Sequence, residues 1–185
     1  MTVFLETGRI SLRRFTADDV DNLHGLNDDP AVMRYINGGQ PTPRDAIRDQ
    51  LIPFYLDCYR RFGGLGYWAA ESRPAGEFLG WFHFRPGEGT GLELGYRLRR
   101  AAWGAGYATE GSRALIRAGF TELGIERVFA RTMTANAASR RVMEKCGLRF
   151  VRGYDDDRIA GVPGAGQGCV EYAVTREEWQ ASPSC

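Results

Sequence analysis

A chain of 185 residues that is 43% apolar and 12% aromatic can remove roughly 70% of its unfolded surface from water in a single domain. That excludes a disordered chain, and no run approaches the roughly 20 apolar residues a bilayer span requires. A formal net charge of +1 supplies no global field to gather nucleic acid or anionic lipid, so neither is expected as a partner.

Cys58, Cys146, Cys169 and Cys185 show no paired spacing, and His24 and His83 are too few for a histidine site. No metal is expected, and the thiols read as reduced. "MTVFLETGRISLRRF" lacks a cationic start followed by an apolar core and a cleavage site, so the expected location is cytoplasmic.

In chain order, "RISLRRF" alternates as a first strand, and Thr16 caps a helix over 17–27 whose apolar residues recur at Val20, Leu23 and Leu26. Pro30 starts a further turn. Thr42 as cap and Pro43 at the first helical position open a helix that runs to about Phe62, with Pro53 a place for it to bend or split. Three glycine-punctuated strand patterns follow, "GYWAAES", "EFLGWFHF" and "GLELGYRLR", with connections short enough for an antiparallel meander. In the third, Leu92, Leu94, Tyr96 and Leu98 alternate with Glu93, Gly95 and Arg97, so Glu93 stands on the face opposite the leucines.

A helix over 105–123 carries Ala108, Leu115, Ile116, Gly119, Phe120 and Leu123 on one stripe and stops at Gly124. Then come the strand "RVFARTM", a helix capped by Asn136 and ended by Gly147, and the strands "LRFVRGY" and "CVEYAVT". Between these last two, 155–168 reads as an exposed, mobile loop. The fold class is α+β: one domain over 1–185, with a mixed, mostly antiparallel, splayed sheet of about seven strands and helices on both faces. Parallel pairing is expected across the 105–123 helix, whose N-terminus opens at the end of the Glu93 strand.

Gly104 and Gly106 stand where that helix begins. A helix N-terminus offers unpaired N–H groups and about half a positive charge, and glycine lets a phosphate approach the backbone. A glycine-rich turn serving only chain reversal fits the same residues. A P-loop is excluded because the segment has no lysine, and a dinucleotide fingerprint fails because Thr109 holds its third glycine position.

Three motifs occur in order: "ELGYRL" from Glu93, "WGAGYATE" from Trp103, and "NAASRRVMEKCG" from Asn136. With them, Glu93 to Phe150 resembles the acyl-CoA-binding core of the GNAT superfamily of N-acetyltransferases, and most of all its RimJ/RimL-like, ribosomal-protein-alanine branch. Leu12 to Ile36 resembles that branch's N-terminal segment.

The resemblance implies that Tyr96, Arg97 and Leu98 border the pantetheine arm, received by backbone groups of Arg97 and Leu98. It implies that Trp103, Gly104, Ala105, Gly106, Tyr107 and Ala108 wrap the CoA pyrophosphate, and that Asn136 hydrogen-bonds the pantetheine as well as capping its helix. Ala101 stands where many members carry glutamine or arginine, with Arg100 beside it, so backbone contacts are expected to dominate.

Acetyl transfer from a thioester needs a neutral amine, a polarised carbonyl and a stabilised thiolate. Glu93 is the candidate base, directly or through water, and a strand N–H near Arg97 would polarise the carbonyl. Ser139 is the candidate acid, because Met143 stands where other branches carry tyrosine. Tyr96 and Tyr107 read as packing groups, and His83 among aromatics as a wall residue. Trp81, Phe82 and Phe84 shape either the acceptor pocket or the core. The expected activity is acetyl-CoA-dependent N-acetylation of a small-molecule amine or a protein N-terminus, by a monomer or homodimer. The alternative is a CoA-binding sensor without turnover.

Overall fold

The computed structural model describes residues 3–87 and 91–181; Cys185, expected as a reduced thiol, lies outside them. Eight strands form one sheet: β1 (Val3–Glu6), β2 (Ile10–Arg14), β3 (Gly66–Ser72), β4 (Phe78–Pro86), β5 (Leu92–Leu98), β6 (Arg127–Met133), β7 (Arg149–Tyr154) and β8 (Cys169–Thr175). Their spatial order is β1-β2-β3-β4-β5-β6-β8-β7, and β5 with β6 is the parallel pair. The additional strand is β1, whose four residues carry no alternation of their own. It is held by pairing with β2 and by the Phe4 ring stacked on Trp68 at 4.1 Å.

Period-two alternation divides the core between the two faces of the sheet. On β4, Phe82 and Phe84 pack with Trp68, Leu115 and Ile116 beneath α5 (Tyr107–Thr121). Trp81 faces the other way, toward α1 (Val20–Asn27), α2 (Pro30–Asn37) and α4 (Ile52–Arg61), with Leu23, Ile47 and Tyr55. Phe82 and Phe84 are therefore core, and Trp81 alone of the three aromatics borders a cavity. Leu115, Ile116, Gly119 and Phe120 of the α5 stripe are buried, whereas Leu123 falls past the helix end and is exposed. Gly111 and Gly119 let α5 press on the sheet: a Cβ at either would meet a phenyl carbon of Phe82 at 2.7 Å or of Phe84 at 2.8 Å.

Several helix boundaries differ from expectation. Thr16 makes a capping box with Asp19, but for a short 3-10 turn over Ala17–Asp19 that precedes α1. Thr42 is not a cap: Pro43 takes that position before α3 (Arg44–Ala46). The expected helix is divided just before Pro53, which stands in the first turn of α4. A π-helical segment over Ile47–Leu51 joins α3 to α4. Its position follows from Pro53, which lacks the N–H for Asp49 and would press its ring on that carbonyl, so the turn one step earlier widens.

The segment 155–168 is not simply an exposed loop. It contains two 3-10 turns, Asp157–Ile159 and Ala165–Gln167, and buries Val162 against Met133 and Cys169. A last helix, α7 (Arg176–Gln180), which sequence reading did not predict, opens on a Thr175–Glu178 capping box. Cys58, Cys146 and Cys169 are free and buried, no group of metal-ligating side chains occurs among the described residues, and none of their helices is long and apolar enough to cross a membrane.

Candidate active site

The parallel register between β5 and β6 covers Leu92↔Val128 and Glu93↔Phe129 only, and beyond it the two strands part. Arg99 N–H donates to the Leu79 carbonyl at 2.8 Å, so by antiparallel alternation the odd-numbered backbone groups of β5 belong to the β4 ladder and the even-numbered ones face the gap. On this ladder the backbone groups of Arg97, expected at the pantetheine arm, pair with β4. Tyr96 and Leu98 are the residues whose amides and carbonyls look toward β6, and the Leu98 carbonyl already accepts from Trp103 Nε1 at 2.8 Å. The Arg97 side chain is buried, donating to Asn27 Oδ1 at 2.7 Å with its guanidinium 5.1 Å from the Trp81 ring centre.

One cavity, of about 500 Å³, opens where β5 ends and α5 begins. Tyr96, Arg97, Leu98, Trp103, Gly104 and Gly106 border it, as do Tyr107 and Ala108 in the first turn of α5. Both glycines are left-handed, Gly104 at φ +74° and Gly106, the N-cap of α5, at φ +84°. A Cβ on Gly104 would meet nothing within 4 Å, so the backbone there is open to a ligand. The first-turn amides of α5 have no intrahelical acceptor, and Arg34 and Lys145, which sequence reading did not single out, bring positive charge to the same cavity.

Ala105 is directed elsewhere. Its carbonyl accepts from Arg9 Nη1 at 2.9 Å, and Arg9 Nε is bonded to Glu110 Oε2 at 2.6 Å, with its guanidinium 4.8 Å from the Tyr107 ring centre. Burial opposes ionisation of Glu110, but hydrogen bonds from Thr7 and Arg9 outweigh it and hold the carboxyl below its ordinary range. The hairpin between β1 and β2 thus ties down the glycine loop. Arg100 is likewise engaged away from the loop, 3.4 Å from Asp29.

A second cavity, of about 530 Å³, lies on the other side of the gap. Trp81, His83, Arg85 and Glu93 border it from β4 and β5, and Tyr154 and Asp156 from β7 and the turn after it. Tyr35 and Ile36 of α2, with Tyr96, Asn136 and Ser139, border both cavities. Asn136 caps α6 (Ala137–Lys145) by accepting from Ser139 N–H at 3.2 Å. That cap aims Ser139 at β5, where its Oγ and its carbonyl oxygen are each 3.0 Å from the Tyr96 hydroxyl. Burial pushes the Tyr96 phenol up, and the Ser139 hydrogen bond offsets only part of the rise.

Glu93 faces the second cavity and is ion-paired with Arg85 Nη2 at 3.0 Å. The β4–β5 register places the two opposite each other, a pairing that only the hairpin length could have disclosed in advance. His83 is buried, and its pKa is lowered to about 3, chiefly by burial and then by Arg85 and Arg97. It is therefore a neutral imidazole near pH 7 and an ineffective base.

An open sheet splayed at one parallel pair, a glycine-opened helix start at the gap, and two cavities joined there define an acyltransferase architecture. A family model for an acetyltransferase (GNAT) domain matches residues 9–149, and the chain belongs to that family of acetyl-CoA-dependent N-acetyltransferases. It is 36% identical over 185 residues to FsC-acetyl coenzyme A-N(2)-transacetylase from Aspergillus fumigatus, covering 95% of this chain and 77% of that protein. Two solved structures share the fold. RimL, a ribosomal L7/L12 alpha-N-protein acetyltransferase in complex with coenzyme A, superposes with TM-score 0.80 at 17% identity over 94% of this chain and 98% of that one. Spermidine N-acetyltransferase from Vibrio cholerae, in complex with CoA and spermine, gives 0.76 at 15% identity over 94% and 99%.

Proposed function

We propose that the two joined cavities serve direct acetyl transfer in a ternary complex, with acetyl-CoA entering from the glycine-loop side and a primary amine from the Glu93 side. The observation that carries this reading is the shared border at Tyr96, Asn136 and Ser139, where a thioester carbonyl and an amine could meet. The pyrophosphate would lie on the first-turn amides of α5, opened by Gly104 and Gly106, with Arg34 and Lys145 supplying charge-assisted bonds.

Chemically, the amine nitrogen attacks the thioester carbonyl carbon, the C–S bond breaks, and the amine's proton has to leave. Glu93 receives that proton, directly or through water. An amide of β5 that faces the gap, at Tyr96 or Leu98, polarises the carbonyl, and Ser139 Oγ donates a hydrogen bond to the departing sulfur. The names of the relatives point to two kinds of amine acceptor, small molecules and a protein N-terminus. Membership of the RimJ/RimL-like branch rests on the three motifs.

Thiol release from acetyl-CoA across an amine and peptide panel tests the reading. Acceptor-dependent thiol supports it, and CoA binding without any such release would favour a sensor. Glu93→Gln is expected to lower kcat by about 10²- to 10³-fold with acetyl-CoA affinity retained. A wild-type rate at neutral pH would remove Glu93 as the base.

A further inference from the structure

The wall that β4 and β5 present to the second cavity is rich in hydrogen-bond donors and poor in acceptors. The register sets Trp81 opposite Arg97, His83 opposite Gly95 and Arg85 opposite Glu93, so alternation puts all six on one face. Trp81 Nε1, Arg85 Nε and Arg97 Nε are buried without an acceptor among the described residues, and neither ring nitrogen of His83 has a partner. His83 is 8% exposed, and its neutral ring always carries one N–H. Gly95 makes room for it, because a Cβ there would lie 2.5 Å from His83 Nε2.

Glu93 is the one carboxylate among the described residues of this face, and Arg85 already engages it. Around the rest of the cavity, Arg131 is bonded to Glu171 at 3.1 Å, and Arg158 to Asp156 at 2.8 Å. Among the described residues the lining carries Arg85, Arg131 and Arg158 together with Glu93 and Asp156. What buried, acceptorless N–H groups require is an oxygen acceptor, and an anionic one makes the stronger bonds.

Resting on the transfer reading above, we propose that the acceptor is a small amine that also carries a carboxylate. Its oxygens accept from the donor face of Trp81, His83 and Arg85, while its nitrogen lies toward Glu93.

The test compares L-α-amino acids with their matched primary amides, the matched amines lacking the carboxyl group, a short peptide with a free N-terminus, and spermidine. Two readouts are used: thiol release from acetyl-CoA, and equilibrium binding of each compound to the CoA-saturated protein. At least one amino acid is expected to exceed its amide by about tenfold or more in kcat/KM or in affinity. His83→Phe, which keeps the ring volume and removes the N–H, is expected to bring that ratio within about threefold while CoA affinity stays unchanged.

Equal or better use of the amide, the peptide or spermidine overturns the proposal, as does an unchanged ratio in His83→Phe or no binding by any carboxylate-bearing amine. Selective binding of amino acids without thiol release would keep the carboxylate recognition by this face and overturn the transfer reading instead. Should His83→Phe fail to fold, Trp81→Phe, which removes one donor from the same face, is expected to lower the same ratio.

Discussion

The hydroxyl of Tyr96 on β5 lies 3.0 Å from both the Oγ and the carbonyl oxygen of Ser139 on α6, a clasp across the gap where the sheet opens. With the phenol pKa raised by burial, Tyr96 keeps its single proton and can give it to the Ser139 carbonyl, while in the contact with Oγ either hydroxyl can donate. Ser139→Ala is expected to lower kcat by about a hundredfold, as loss of a single transition-state donor does elsewhere, with the KM for acetyl-CoA within about threefold. Tyr96→Phe should cost stability instead, about 1 kcal/mol for the lost bond, read as a lower urea midpoint. If Ser139→Ala changes KM alone, the serine binds and does not assist the leaving group.

Gly106 is expected to govern CoA affinity through its backbone. At φ +84° any side chain is strained, by roughly 1–2 kcal/mol, although a Cβ would come no closer than 3.4 Å to Arg9 Nη2. Gly106→Val should therefore fold, yet weaken acetyl-CoA binding by about tenfold or more as the loop shifts and the amides turn from the cavity. Calorimetry reads the affinity directly, and an unaltered Kd would make the loop a chain reversal only.

The alternation of Leu92, Leu94 and Leu98, the glycines before α5 and the Asn136 cap were legible because each rests on a local rule: strand period, left-handed backbone, or an orphan amide. What stayed hidden depends on pairing across the chain. The β4–β5 register decides that Arg85 meets Glu93 and that the Arg97 amide turns away from the gap, and no short-range pattern carries either fact. β1 was hidden for the same reason, since "VFLE" becomes a strand only through β2. The direction of Ala105 was set by Arg9, 96 residues earlier.

Packing between α5 and the sheet sets opposing effects against each other at Gly111. Replacing a mid-helix glycine with alanine ordinarily gains about 1 kcal/mol. Here the added methyl would press on the Phe82 ring, with Cε1 2.7 Å away, in a core where Phe82 is fully buried. Overpacking costs about 1–3 kcal/mol, so Gly111→Ala is expected to be destabilising by about 1 kcal/mol net, measured by denaturant unfolding. A more stable variant would show that α5 can lift from the sheet.

His83 also sets an acid limit on stability. Its pKa is about 3 in the folded chain against an ordinary 6.5, through burial first and then Arg85 and Arg97. Between those two values the unfolded chain binds the proton that the folded chain refuses, so stability rises with pH. The contribution is complete above about pH 6.5 and is lost progressively as the pH falls from there toward 3. His83→Phe abolishes this proton uptake while leaving every carboxylate in place. Urea unfolding of both proteins between pH 7 and 4 should then show the wild-type midpoint falling more steeply than the variant's. Parallel curves would mean that the imidazole charges inside the folded protein, through water or a ring flip that relieves its burial between Tyr67 and Trp81.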